Sequence, residues 1–266
     1  MASLKIRVGL FGFGRAGKAV AEELIKDGQV ELTWVSRRAL DSNVGSVSEA
    51  LQLDAAPQGQ FVVTSGLTAT QLFQQYPVDF IVDFSGEESV DYYGQAAAEW
   101  GVGIVSAVSH YDDARLDLLH RLGQKTRVLH SPNITVGINF LMMASKALRR
   151  IAPHTDVEVI EQHFRDKREV SGTAMRIAES LDLDSDHQVN SIRVGGIIGK
   201  HEVIFGFPYQ VIRLVHETSL RNAFGQGALY AVKKLNDLGN GFHSMEGLMA
   251  KDFREVLAEF EPTSSA

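Results

Sequence analysis

The chain has no cysteine, which excludes disulfides, thiol nucleophiles and cysteine-held metal sites. Its nine histidines show no paired spacing of the His-Glu-x-x-His kind that marks zinc sites on a helix. An excess of positive charge is also missing. With 26 Lys and Arg against 33 Asp and Glu the net charge is −7, which argues against a phosphate backbone as partner. No apolar run approaches the roughly 20 residues that a membrane-spanning helix needs. No signal-peptide pattern precedes the first apolar stretch at Lys5, so the expected location is the cytoplasm. Internal repeats are absent, and the one low-complexity stretch is the polar tail Thr263 to Ala266.

What the chain does have is glycine in an informative place. Lys5 to Phe11 is a short apolar run, Gly12-Phe13-Gly14-Arg15-Ala16-Gly17 follows at once, and helical periodicity runs from Ala16 to Ile25. This is the strand, turn and helix setting that a dinucleotide loop requires. Gly12 permits the tight turn, Gly14 lets the backbone approach a pyrophosphate, and Gly17 lets helix and strand pack closely, while the first N–H groups of the helix face the anion. The next apolar run, Val30 to Val35, ends in Ser36-Arg37-Arg38. A site selecting NADH carries an acid there to accept from the ribose 2′-hydroxyl. A small hydroxyl followed by two guanidinium groups suits a 2′-phosphate instead, so NADPH is the expected cofactor, with NADH possible.

Strand-like and helical stretches alternate onward through Phe61 to Val63, Ala69 to Gln75, Phe80 to Phe84, Ser89 to Trp100, Gly103 to Ala107, Asp113 to Leu122 and Arg127 to His130. That rhythm predicts an α/β fold with a Rossmann-type, doubly wound parallel sheet. After Ser131-Pro132-Asn133 it changes. A helix from Gly137 to Ile151, a strand from Val157 to Phe164, a helix from Ala174 to Leu181 and β-rich runs near 191–194, 201–205 and 210–216 predict a second α+β domain with a mostly antiparallel sheet. Ala223 to Leu235 and Ser244 to Phe260 read as helical and return to the first lobe. The expected division is 1–132 plus 222–266 for the dinucleotide, and 133–221 for substrate and oligomerisation.

The second domain carries its own concentration of chemistry. The strand ending near Phe164 delivers His163. Arg165, Lys167 and Arg168 lie on the following loop, and Ser171-Gly172-Thr173 opens a helix. A helix N-terminus beside three cations attracts anions, and a histidine there can serve as general acid. A carboxylate-bearing acceptor of hydride and proton would use all of these groups. The plain alternative is a solvated basic loop with a capped helix.

In order and spacing these motifs resemble the dihydrodipicolinate reductases of bacterial lysine and diaminopimelate synthesis. The likeness runs through the dinucleotide loop, Asp83-Phe84-Ser85, Ser131-Pro132-Asn133, Glu161-x-His163 with Lys167 and Ser171-Gly172-Thr173, and His201-Glu202-Val203 with His216 and Arg221. It implies a two-domain homotetramer, or homodimer, that reduces a cyclic imine-type substrate with NAD(P)H. It implies His163 as proton donor, Lys167 as the group that orients the substrate, and Ser171, Gly172 and Thr173 as its carboxylate site. Phe84, Ser85, Ser106 and Ala107 are expected beside the cofactor, with His110 and Tyr111 as substrate-side candidates; His216 reads as a hydrogen-bonded structural histidine.

The departures sit where substrate is read. Phe164 stands where the family carries a second histidine, the Arg168 to Ser171 stretch is shortened and lacks proline, and Ser106 to Ser109 replaces a Gly-Thr-Thr-Gly turn. Alternatives are therefore a paralogous imine reductase or amine dehydrogenase on another substrate, or a nucleotide-binding regulator without catalysis.

Overall fold

The computed structural model describes residues 4–37 and 45–260. The chain runs β1 (Ile6–Phe11), α1 (Arg15–Lys26), β2 (Val30–Arg37), α2 (Val47–Ala50), β3 (Gln60–Val63), α3 (Ala69–Gln75), β4 (Phe80–Asp83), α4 (Ser89–Trp100), β5 (Gly103–Ser106), α5 (Asp113–Gly123) and β6 (Arg127–His130). It continues through α6 (Val136–Ile151), β7 (Asp156–His163), α7 (Gly172–Ser180), α8 (Ser185–Gln188), β8 (Val189–Arg193), β9 (Gly199–Gly206) and β10 (Val211–Thr218). The last elements are α9 (Asn222–Asn236), β11 (Gly241–His243) and α10 (Met245–Ala258). Two compact units result, Met1–Ile134 with Phe224–Ala266, and Thr135–Ala223.

The first unit is a seven-stranded sheet in the order β11-β6-β5-β4-β1-β2-β3, with every pairing parallel. Its strands are short and apolar because both faces are covered. Leu10, Trp34, Phe80, Ile81 and Ile104 are fully buried, and each such side chain contributes about 1.5–3 kcal/mol relative to exposure. Local chemistry sets the helix starts. Ser46 with Glu49 and Thr68 with Gln71 form capping boxes at α2 and α3, and Asp112 accepts from the Arg115 N–H to open α5. Late in the chain, α9 closes on α1: a Cβ on Gly225 would lie 2.7 Å from the side chain of Glu23, and Lys233 pairs with Asp27 at 2.7 Å.

The second unit is a four-stranded sheet in the order β10-β9-β7-β8. The β9–β10 and β7–β9 pairings are antiparallel, whereas β7–β8 is parallel. Strict alternation in β7 and β9 turns Val157, Val159, Val203 and Phe205 to a core shared with Ile138, Leu141 and Met142 of α6 and Ala174 and Ile177 of α7. The opposite face presents Ile160, Ile192, Ile204, Val211 and Val215 among Glu158, Lys200, Glu202 and Arg213. Ile192, Val211 and Val215 are about half exposed.

The architecture agrees with the pattern in the sequence, with additions. β11 extends the first sheet by three residues, α2 and α8 are single turns, and β8 begins two residues before its expected start.

Candidate active site

The glycine loop lies where the strand order of the first sheet reverses, between β1 and β4, at the carboxyl ends of the strands. That is the crevice in which doubly wound sheets bind ligands. A cleft of about 680 Å³ opens there, lined by Gly12, Gly14, Ser36, Arg37, Thr64, Phe84 and Ser85 among others. Gly12 has φ +94°, and a Cβ on it would lie 2.5 Å from the Phe84 carbonyl oxygen. A Cβ on Gly17 would lie 2.1 Å from the Gly12 oxygen, so α1 and the loop touch backbone to backbone. Gly14 differs, because nothing stands within 4 Å of the Cβ it lacks. That open space, above an α1 N-terminus without a side-chain cap, fits a pyrophosphate received by the first-turn N–H groups. Arg15 is exposed at this end and Ala16 half-buried.

At the end of β2, Arg37 is held by aromatic rings, its guanidinium carbon 5.3 Å from the Phe13 centroid and 4.9 Å from that of Phe61. The Lys18 ammonium is 5.7 Å from the same Phe13 ring. The hydroxyls of Ser36 and Thr64 sit 3.4 Å apart on the cleft wall. Arg38, the other expected phosphate ligand, lies outside the described residues.

Beneath the cleft is a buried polar cluster. Asp83 accepts hydrogen bonds from the Ser85 N–H at 2.8 Å, the Ser85 hydroxyl at 2.5 Å and the Tyr93 hydroxyl at 2.8 Å. Burial pushes its carboxyl up to about 6 in spite of those bonds. Phe84 and Ser85 line the cleft as expected from their place after β4, but the Ser85 hydroxyl is already committed to Asp83 and Ser89. Ser106 is turned inward. It is fully buried, with its hydroxyl 2.9 Å from that of Tyr111, so its side chain is not offered to a cofactor; Ala107 is half-buried. Tyr111 is likewise buried, its hydroxyl paired with that of Ser106, and burial raises that hydroxyl well above the ordinary value. His110 is exposed.

In the second unit, period-2 alternation places Glu161 and His163 on the same buried face of β7. His163 Nδ1 lies 2.5 Å from Glu161 Oε2. The Glu161 side chain has no exposed surface, yet it is well supported. Burial alone would raise its carboxyl, but hydrogen bonds from Arg193, Ser191, His163 and the Ser171 N–H outweigh this and hold it at about 2. It is therefore an anion at neutral pH and can only accept, which puts a hydrogen on Nδ1 of His163 and leaves Nε2 outside that bond. A Cβ on Gly199 would lie 3.2 Å from Nε2, so the glycine keeps that side of the ring open. Burial lowers the His163 pKa against the raising pull of Glu161, and Lys167 and Arg193 lower it further.

The loop from Phe164 to Ser171 carries the remaining expected residues. Phe164 is exposed and Lys167 half-buried. Ser171, at the N-cap of α7, is turned inward: its hydroxyl lies 2.9 Å from His201 Nε2 and its N–H donates to Glu161 at 3.2 Å. The first turn of this helix, at Gly172 and Thr173, is the open part, since a Cβ on Gly172 would meet nothing within 4 Å. Burial holds His201 down to about 4, so it stands as a neutral ring beside His163, with centroids 5.4 Å apart. His216 rests against Gly137, and its buried Nδ1 has no partner among the described residues.

Sequence reasoning quoted Glu161 as part of a motif without giving it a role, although an acid two residues before a histidine on a strand shares its face. Arg193 and Ser191 gave no local signal, because their partner lies 32 and 30 residues away. Thr64 and Phe61 were likewise invisible, since only the parallel pairing of β2 with β3 brings them to Ser36 and Arg37.

Two family models match the chain, that for the N-terminus of dihydrodipicolinate reductase over residues 6–134 and that for its C-terminus over 137–249. A 4-hydroxy-tetrahydrodipicolinate reductase of Halorhodospira halophila is 27% identical, covering 92% of this chain and 99% of that protein. Another from Caldanaerobacter subterraneus subsp. tengcongensis is 26% identical, over 78% and 95%. Among solved structures, a dipicolinate-bound dihydrodipicolinate reductase from Paenisporosarcina sp. TG-14 superposes with TM-score 0.74 at 20% identity, over 91% of this chain and 98% of that one. An amine dehydrogenase from Mycobacterium smegmatis gives 0.61 at 12% identity, over 92% and 96%; these structural likenesses speak for the fold alone.

Proposed function

The chain belongs to the dihydrodipicolinate reductase family, and on that premise we propose that it reduces 4-hydroxy-tetrahydrodipicolinate in lysine and diaminopimelate biosynthesis, drawing on NAD(P)H with NADPH preferred. The observation that carries the reading is the Glu161–His163 pair beside the N-terminus of α7. It combines a histidine in a defined tautomer with a place for a carboxylate.

Bound NAD(P)H supplies the hydride for one end of the substrate double bond. The other end needs a proton, and His163 Nε2 is the atom that delivers it. Glu161 fixes the ring and stabilises its charged form, while Gly172 and Thr173 with Lys167 hold a substrate carboxylate. That anion offsets the burial and the neighbouring cations that depress His163, so substrate binding itself favours the protonated ring. In the first unit, Gly12, Gly14 and Gly17 with the first turn of α1 receive the pyrophosphate, and Ser36 and Arg37 receive a 2′-phosphate.

The test is kinetic. His163→Ala should lower kcat by ~10²–10⁴ with NADPH affinity nearly unchanged, the scale of losing a positioned acid. Near-normal turnover would remove His163 from the chemistry. A second reading, a reductase of a related imine acid, is favoured by Phe164 and by the inward-turned Ser171, both at positions that read substrate. Following NADPH oxidation over a panel of imine acids separates the two.

A homotetramer or homodimer is supported by the half-exposed apolar residues on the outer face of the second sheet, Ile192, Val211 and Val215. Among the described residues no helix is long and apolar enough to cross a membrane, and work in the cytoplasm is the setting that fits this biosynthetic role.

A further inference from the structure

Resting on the assignment of His163 as acid and Lys167 as substrate anchor, we propose that Arg193 is the positioning residue that sets both at once, by tying the carboxylate behind His163 to the backbone of the loop that carries Lys167. Arg193 stands opposite His163 in the parallel register of β7 and β8. Its guanidinium has five N–H donors in a fixed plane, and all five are used. Nε donates to the Lys167 carbonyl at 2.9 Å. One terminal nitrogen donates to Glu161 Oε2 at 2.9 Å and to the Ile192 carbonyl at 3.1 Å. The other donates to Glu161 Oε1 at 2.6 Å and to the Glu169 carbonyl at 2.8 Å.

Besides Arg193, the Ser171 N–H at the far end of the loop reaches Glu161, at 3.2 Å, but it lies four residues from Lys167 and holds one oxygen only. Residues 164–171 have no regular secondary structure, and the loop makes few backbone bonds of its own, such as those from Arg165 to Gly195 and from Lys167 to Phe164. A loop so lightly held places Lys167 only as well as its anchor does. Arg193 supplies that anchor at two carbonyls, and the same plane fixes Glu161, which in turn orients His163. An ammonium could not do this: lysine has three donors from one atom and no bidentate fork.

Arg193→Lys keeps the charge and removes the fork. The expected result is a fall in kcat of ~10²-fold, the scale of a misplaced reacting group, with NADPH affinity and melting temperature close to the parent. A mere structural stitch would not make that loss depend on its targets. In a background that lacks both targets, His163→Ala with Lys167→Ala, the same change should cost less than about threefold, because nothing is left for Arg193 to position. A kcat within about threefold of the parent for Arg193→Lys, or an equal loss in both backgrounds, would overturn the proposal.

A second readout needs no turnover. The hydrogen-bonded Nδ1 proton of His163 should give a protected NMR signal in the parent and lose it in Arg193→Lys; its persistence would also overturn the proposal. If Arg193→Lys does not fold, Glu161→Gln serves in its place, and the His163 titration midpoint must then fall. Glu161 on β7 raises that midpoint, whereas Arg193 on β8 and Lys167 on the loop lower it, and His201 on β9 faces the same ring. An unmoved midpoint would overturn the proposal. Should His163→Ala turn over normally, the acid assignment fails separately, and the NMR results alone decide the role of Arg193.

Discussion

A guanidinium that grips a phosphate loses less freedom on binding when its neighbours already hold it, and Arg37 is held in this way against the paired rings of Phe13 and Phe61. Arg37→Asp should therefore reverse or erase a preference for NADPH over NADH, by about 1–3 kcal/mol if a charge-assisted bond to the 2′-phosphate is lost. Dissociation constants for both cofactors, before and after the change, check this; equal constants in the unmutated protein would sink it. At this scale the sequence was legible where placement is local: His163 ends its strand on the buried face beside Glu161, and Ser36 and Arg37 line the cleft at the end of β2. It was illegible where partners are distant, as with Arg193, and where hydroxyls face inward, as with Ser106 and Ser171, because exposure is a property of packing.

The loop into α1 separates two demands that its glycines meet in different ways. A Cβ on Gly17 would sit 2.1 Å from backbone, whereas one on Gly14 would enter open space. Gly14→Ala should leave the melting temperature unchanged and weaken dinucleotide binding, while Gly17→Ala should lower the melting temperature and impair binding together. Thermal melts paired with cofactor titrations decide it, and if Gly14→Ala binds as tightly as the parent, the cradle is misassigned. The parallel strands of the first unit were readable because burial on both faces gives unbroken apolar runs. β11 was not, since Gly241–His243 is too short for any period and exists only by pairing with β6. The parallel β7–β8 pairing was hidden for a related reason: alternation shows which face is buried but not which way the neighbouring strand runs.

For the whole molecule, the outer face of the second sheet is the surface on which assembly is proposed. A charge placed there, as in Val215→Lys, should reduce the mass measured by light scattering while the circular dichroism of the fold is kept, and an unchanged mass would send the interface elsewhere. The division of the first unit into two stretches of chain, on either side of the second unit, also fixes an order of events during synthesis. At about 5–20 residues per second, β6 leaves the ribosome and then waits several seconds with an unpaired edge while the second unit is made. Only afterwards do α9 and β11 arrive to cover α1 and that edge. The inserted unit, whose core comes entirely from one continuous stretch, is thus ready to fold before the unit that precedes it is complete. Nascent chains stalled just after Ala223 has emerged should resist protease over 135–223 and be cut within 1–134, and it is during this interval that β6 invites a chaperone or a stray strand.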